Sequence, residues 1–319
     1  MPVEPRVVSL LPAVTDWLVA FGAERQLVGR TALCDAPEVA DVPVVASSTI
    51  PTMADASEID VAVRDAVQAG LSPFDLDLDA LRDLQPDLIV TQTVCGVCAP
   101  PLSDVEAALA TLTGSSPQVL DFAPGTHKQV LDAALGLAGQ TGKLEAAMRI
   151  IAAHEQRLRE LANRVGGRRQ LEAAPSVVCI EWVEPPMSAG HWTPDLVEHA
   201  GGRPLMSTAG ERSRYVTWEE VAEANPDMLV VAACGRSVSQ SIEDLAAHAS
   251  SWRSLRAVEA GRAVVLDGDR LFNRPGPTLT RSAEVLAWAL WGDASGVRVS
   301  ADEAVPFPPV SVLVSPGAS

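Results

Sequence analysis

A chain of 319 residues that is 47% hydrophobic and only 20% charged has enough apolar surface to bury one large core or two ordinary ones. Its 24 basic against 41 acidic residues leave a net charge of −17, a field that repels phosphate backbones and anionic lipid and argues against nucleic-acid and membrane-surface binding. No stretch reaches the roughly 18 unbroken apolar residues of a membrane span, and five cysteines, an odd number in so long a chain, do not make a disulfide scaffold.

From the start, RVVSLL (6–11) is a β-branched apolar run that predicts a strand, and Pro12 opens a helix reaching Gly22. Pro12 and Asp16 interrupt this apolar segment, only Arg6 precedes it, and no small-residue cleavage site follows, so it reads as strand and helix rather than as an export signal. As written the chain is expected in the cytoplasm; with a leader removed, it is expected in the periplasm or at the cell surface. QLVGRT (26–31) is a second short strand. In DLDALRDLQ (77–85), Leu78, Leu81 and Leu84 recur at helical spacing behind Asp77, a residue type that caps helices. PDLIVTQ (86–92) is apolar on both faces, the pattern of a strand in a buried parallel sheet. TVCGVCAPP (93–101) follows it directly.

The sequence then repeats itself. TWEEVAEANPDMLVVAACG (217–235) parallels DLDALRDLQPDLIVTQTVCG (77–96): cap, short helix, Pro-Asp, apolar strand, Cys-Gly. RVVSLL is echoed by SVVCIEW (176–182), and PAVTDWLVAFGA by TPDLVEHAGG (193–202), where Thr193 is expected to cap a helix with Pro194 at its first position. Between the copies, Leu144, Ala147, Ile151, Leu158, Leu161 and Val165 give helical periodicity, and a helix of that length spans roughly 36 Å. The expected fold is therefore α/β: two similar lobes with mainly parallel sheets, 1–140 and 167–291, joined by a backbone helix over 141–166. A loosely ordered tail is expected over 292–319. Ligands of open α/β sheets bind beyond the carboxyl ends of the strands, which predicts a cleft between the lobes.

The chain resembles the substrate-binding proteins of ABC importers that carry a single backbone helix, and among them the vitamin B12-binding branch. The resemblance spans roughly residues 5–291. It rests on RVVSLLPAVTDWLVAFGA, CDAPEVADVPVV (34–45), DLDALRDLQPDLIV, SAGHWTPDLVEHAGG (188–202), VTWEEVAEANPDMLVV and LFNRPGPTLT (271–280). It implies a binding protein without catalytic residues, expected as a monomer, that captures cobalamin, a related corrinoid or another metal chelate for an importer. It also implies one acid per lobe docking on arginines of an ABC permease, here Asp79 and Glu219. That branch sets aromatic rings against the corrin, whereas this chain offers Gln92 after the first-lobe strand and Phe74 as the ring before its helix.

The proposed ligand contacts of the second lobe lie in loops expected to line the cleft. His191 and Trp192 in SAGHWTP offer a nitrogen donor and a flat ring; Trp182 and Glu184 follow the equivalent strand of the second lobe; Phe272 and Arg274 bring a ring and a cation to the same rim. Cys95 and Cys98 sit on the opposite wall as small apolar thiols. A rival reading uses Cys34, Cys95 and Cys98 as a zinc or iron site of a cytosolic metal or redox protein on the same scaffold, although a closed site normally wants four ligands and no second CxxC exists. A third is a ligand sensor with a protein partner in place of a permease. Gly-rich phosphate loops, a G-x-S-x-G elbow and H-E-x-x-H are all missing.

Overall fold

The computed structural model describes residues 4–50, 54–69, 71–93, 100, 102–110, 117–169 and 173–307. The chain divides into two compact units, Met1–Pro124 with Lys128–Ala153, and Gly125–His127 with His154–Ser319. Both are α/β.

The first unit holds strands β1 (Val7–Ser9), β2 (Leu27–Thr31), β3 (Val44–Ser48), β4 (Phe74–Leu76), β5 (Leu88–Thr91) and β6 (Gln118–Asp121). Its helices are α1 (Pro12–Ala20), α2 (Ala56–Gln68), α3 (Leu78–Leu84), α4 (Leu102–Ala110), α5 (His127–Gln140) and the start of α6 (Leu144–Arg169). The sheet order is β4-β3-β2-β1-β5-β6, parallel except for the edge strand β4. Val8, Leu10, Val45, Leu81, Ile89 and Val105 form its core.

The second unit holds β7 (Ser176–Val183), β8 (Pro186–Ser188), β9 (Arg203–Pro204), β10 (Arg214–Tyr215), β11 (Met228–Val231), β12 (Ala263–Leu266) and β13 (Ala304–Pro306). Its helices are α7 (Thr193–His199), α8 (Trp218–Ala224), α9 (Val238–Ala247), α10 (Ala249–Trp252), α11 (Arg256–Glu259) and α12 (Leu279–Trp291). Parallel β7, β11 and β12 are its centre, and β8, β10 and β13 add antiparallel margins.

The duplication is physical. β1 pairs with β5 in one unit as β7 pairs with β11 in the other, each in parallel. Asp77 and Thr217 cap α3 and α8, accepting from Ala80 N and Glu220 N. Both helices end on a left-handed residue, Gln85 (φ 43°) and Asn225 (φ 46°), and proline follows each. The proline has no N–H to continue a helix, so the chain turns at once into the strand. The aspartates of the two Pro-Asp pairs then do the same work. Asp87 Oδ2 accepts from Arg6 N at 2.8 Å, and Asp227 Oδ2 accepts from Ser176 N at 2.9 Å, each fixing the start of the neighbouring strand. The hydrogen bonds to Ser176 hold the Asp227 carboxyl below its usual range. The Thr217 cap is a reciprocal box with Glu220, so Thr217→Ala is expected to cost about 1 kcal/mol in denaturant melts. Thr217→Ser should restore most of it.

Three sequence expectations change. The helix expected from 141 starts at Leu144, because Gly142 (φ 68°) and the Lys143 N to Ala138 O bond of 2.8 Å terminate α5 first. It then runs through Gly166 and Gly167 to Arg169; extending an existing helix past a glycine costs only about 1 kcal/mol, far less than starting one. The cap of α7 is Trp192, whose side chain makes no capping bond, and Thr193 is already helical and buried. The segment after 291 is no loose tail as far as Phe307. β13 pairs with β12, Arg281 grips Glu303 through two bonds of 2.7 and 2.8 Å, and Phe307 meets the Trp252 ring edge-on at 4.7 Å. That guanidinium holds the Glu303 carboxyl down at about 2.

Candidate functional site

In the second unit, the loops that leave β11 and β12 at their carboxyl ends are joined to the loop before α7. After β12, Asp267 caps a π-helical turn over Gly268–Phe272 by accepting from Asp269 N and Arg270 N. The turn is fastened from outside: Ser282 Oγ donates to Leu271 O at 2.7 Å and Thr278 Oγ1 to Arg270 O at 2.8 Å. Trp192 Nε1 then donates to Phe272 O at 2.8 Å. This bond brings Trp192 and the 272–274 loop together. The Phe272 ring itself is fully buried, so its contribution here is the carbonyl rather than a ring face.

His191 stands beside Trp192, ring centroids 5.7 Å apart, and is half-buried. Its backbone is left-handed (φ 53°), a conformation that costs a non-glycine residue on the order of 1–2 kcal/mol and clusters at functional sites. Two bonds impose it, His191 N to Glu211 O at 2.7 Å and Gly210 N to His191 O at 3.0 Å. Burial, followed by the nearby Arg212 cation, lowers the imidazole pKa below its ordinary value. The ring is therefore neutral at pH 7 and keeps a lone pair to offer. Arg274, itself mostly buried, pairs with Asp269 at 3.2 Å.

The other predicted residues fall elsewhere in the fold. Trp182 is half-buried, pairs with Met187 across the β7–β8 hairpin and donates to Glu184 O at 3.0 Å. The Glu184 carboxylate lies 3.6 Å from His248 Nδ1. In the first unit, Phe74 and Gln92 are buried, Phe74 paired with Ser48 on β3 and Gln92 just past the end of β5. Cys95 and Cys98 lie outside the described residues. Cys34 is buried with Sγ 3.0 Å from Thr15 Oγ1, and burial pushes its thiol up to about 11, so it holds its proton at pH 7. Among the described residues no group of three His, Cys, Asp or Glu side chains could hold a metal ion. Asp79 is exposed and pairs with Arg82 at 2.6 Å. Glu219 is exposed at the start of α8, where Glu220 closes the capping box. An apolar groove of about 500 Å³ between Phe21 and Ile150 of the first unit contains none of the predicted site residues.

Sequence reading missed Arg212, Asp269, Asn273 and the buried Arg236–Asp244 pair. Only Arg236 carried a signal, since it follows the second Cys-Gly of the repeat in ACGRS; the rest are single polar residues whose partners are set by loop geometry.

The profile of the periplasmic binding protein family matches residues 7–270. The chain belongs to that family. Proteins of this family bind solutes and are not enzymes, in keeping with the resemblance drawn from the sequence motifs. Among solved structures, the chain is similar to a periplasmic haem-binding protein from Pseudomonas aeruginosa (18% identity, 96% of this chain and 99% of that one, TM-score 0.70). It is also similar to an ABC transporter substrate-binding protein from Listeria monocytogenes EGD-e (18%, 91% and 99%, TM-score 0.67). A third is the periplasmic vitamin B12-binding protein of Vibrio cholerae (17%, 92% and 99%, TM-score 0.64). No curated protein matches the chain. No helix of the described residues is long and apolar enough to cross a membrane.

Proposed function

We propose that the protein captures a metal tetrapyrrole, corrinoid or haem, and delivers it to an ABC permease outside the cytoplasmic membrane. The observation that carries the ligand class is His191. A left-handed, half-buried imidazole kept neutral at pH 7 is suited to donate a nitrogen to a chelated metal, and the buried Trp192 beside it anchors the loop that presents it. Arg212, exposed beside His191, adds a cation for the carboxylate or phosphate such ligands carry. Two solved relatives by fold bind haem and vitamin B12 respectively, which is why both ligands belong in the test. Glu219 and Asp79 are the proposed docking acids. Glu219 is the stronger of the two, because Asp79 is shorter and already paired with Arg82. The thiol site of the rival reading gains nothing from Cys34, whose protonated sulfur is a poor ligand.

Purified protein titrated with hemin and, separately, with aquocobalamin should show a saturable one-to-one shift of the visible spectrum with one of them. At a free ligand concentration a hundredfold above Kd, thermal stability should rise by the equivalent of about 2.7 kcal/mol. His191→Ala should bind more weakly and lose the imidazole-dependent part of the spectral shift. Neither a shift nor stabilisation with either compound would end the tetrapyrrole assignment and leave the fold intact.

A further inference from the structure

The site above depends on a loop pair held together by a buried ion pair and by side-chain bonds to backbone carbonyls. Arg236, in the loop after β11, is buried, and its guanidinium meets the buried Asp244 carboxylate through two bonds, Nε to Oδ2 at 2.8 Å and Nη2 to Oδ1 at 2.7 Å. A two-bond fork of this kind fixes direction as well as distance. Asp244 lies on α9, which Ser237 and Gln240 cap in a reciprocal box, so the carboxylate is held by a well-anchored helix. Arg236 O accepts from Gly268 N at 3.1 Å, and Asn273 Nδ2 donates to both Ala232 O (2.9 Å) and Gly268 O (2.8 Å). Gly268 sits so close to Ala233 O that a side chain there would overlap it. The loops after β11 and β12 are thus stitched edge to edge at 232–236 and 268–273. Phe272 O is the far end of that stitch, and it receives Trp192 Nε1.

We infer that Arg236, Asp244 and Asn273 are positioning residues of the ligand site: they set the height of the Gly268–Phe272 turn, and through the Phe272 carbonyl the placement of Trp192 and its neighbour His191. Burying a charged pair is a costly way to gain stability, and an apolar pair of similar volume often does as well. A bidentate pair is better suited to holding one loop geometry than to adding net stability. The coupling runs through contacts within the second unit, and each link is a hydrogen bond of 3.1 Å or less.

This inference rests on the tetrapyrrole reading, and its test separates the two. Wild type, Asp244→Asn, Arg236→Lys and Asn273→Ala are titrated with hemin and with aquocobalamin at a temperature where each is folded by circular dichroism, and the melting temperature of each is measured apart from binding. With whichever compound binds, we expect at least tenfold weaker binding and a displaced visible band in all three variants. Asp244→Glu should recover part of both. Variants that melt lower yet bind with wild-type affinity and an unchanged spectrum would overturn the positioning role alone. Should Asp244→Asn fail to fold, Asn273→Ala carries the same prediction without touching the ion pair. A wild type that binds neither compound would remove the reading and this inference with it, an outcome distinct from the variant result.

Discussion

Between pH 7 and pH 4.5 the protein should lose stability steeply, and His127→Phe should flatten that loss. His127, the first residue of α5, falls in the second unit, where it is buried with its Nδ1 3.2 Å from Nε2 of His199 and its backbone N bound to Asp195 Oδ2 at 2.7 Å. Its Nε2 is buried without a partner among the described residues. Burial first, then His199 and His154, pulls its pKa from 6.5 to about 4. His154 and His199 are lowered as well, burial again leading. Arg157 adds to the effect on His154 and Glu284 opposes it, while Asp195 and Glu198 partly offset it at His199. In each case the folded pKa is depressed, so the unfolded chain binds the proton first as the pH falls through 6.5. The stability that these neutral rings hold above pH 6.5 is lost down to about pH 4, where folded His127 also protonates. For His127 alone this amounts to about 3 kcal/mol over that window. Carboxylates such as Glu303, held at about 2, act in a lower window and do not confuse the measurement. Urea melts of wild type and His127→Phe at several pH values supply the test. The two stability curves should converge by about 2 kcal/mol between pH 7 and 4.5. Curves that stay parallel would show that the imidazole is not the acid-labile group.

What the sequence revealed and what it hid divide along a physical line. The repeat was legible because each copy carries chemistry that acts within a few residues: a cap at Asp77 or Thr217, a left-handed residue and a proline, then an aspartate that reaches one strand over. The His191–Trp192 loop could be placed after a strand and before a helix from its position in the repeat, whereas β12, the strand before Phe272, went unread although AVVL (263–266) is an unbroken apolar run. Trp192 Nε1 joins the two loops through a buried bond to Phe272 O. The misses have other causes. β13 is only three residues with a proline and pairs at a sheet edge, so its pattern is too short to show. Thr193 looked like a cap, but the turn bond from Thr193 N to Gly190 O had already placed it inside the helix. Arg236 and Asp244 could not be paired from sequence, since many acids lie within reach of any arginine and only the fold selects one.

Gly190→Ala should damage the site more than any substitution of the side chains that line it. A Cβ at Gly190 would stand 2.5 Å from Glu211 O, 2.6 Å from Ser213 N and 2.7 Å from Arg212 C, all backbone atoms that cannot rotate aside. Nothing in the φ of Gly190 demands glycine; the requirement is the close passage of one chain against another. That passage carries Gly190 N to Ser213 Oγ at 3.0 Å, His191 N to Glu211 O at 2.7 Å and Gly210 N to His191 O at 3.0 Å, the bonds that hold His191 left-handed. An added methyl must push the 189–192 loop off the 211–213 segment. The backbone strain at His191 then relaxes toward an ordinary conformation that no longer presents the ring. The expected result is a stability loss of about 2–3 kcal/mol, typical of overpacking against backbone. It should be accompanied by at least a hundredfold loss of hemin or aquocobalamin affinity, a larger effect than His191→Ala, which removes one donor and leaves the loop backbone in place. Ser213→Ala, which deletes only the hydroxyl that receives Gly190 N, is the milder companion and should weaken binding severalfold. If Gly190→Ala binds as well as wild type, the left-handed His191 loop does not determine ligand capture, and the donor must be sought on another strand end.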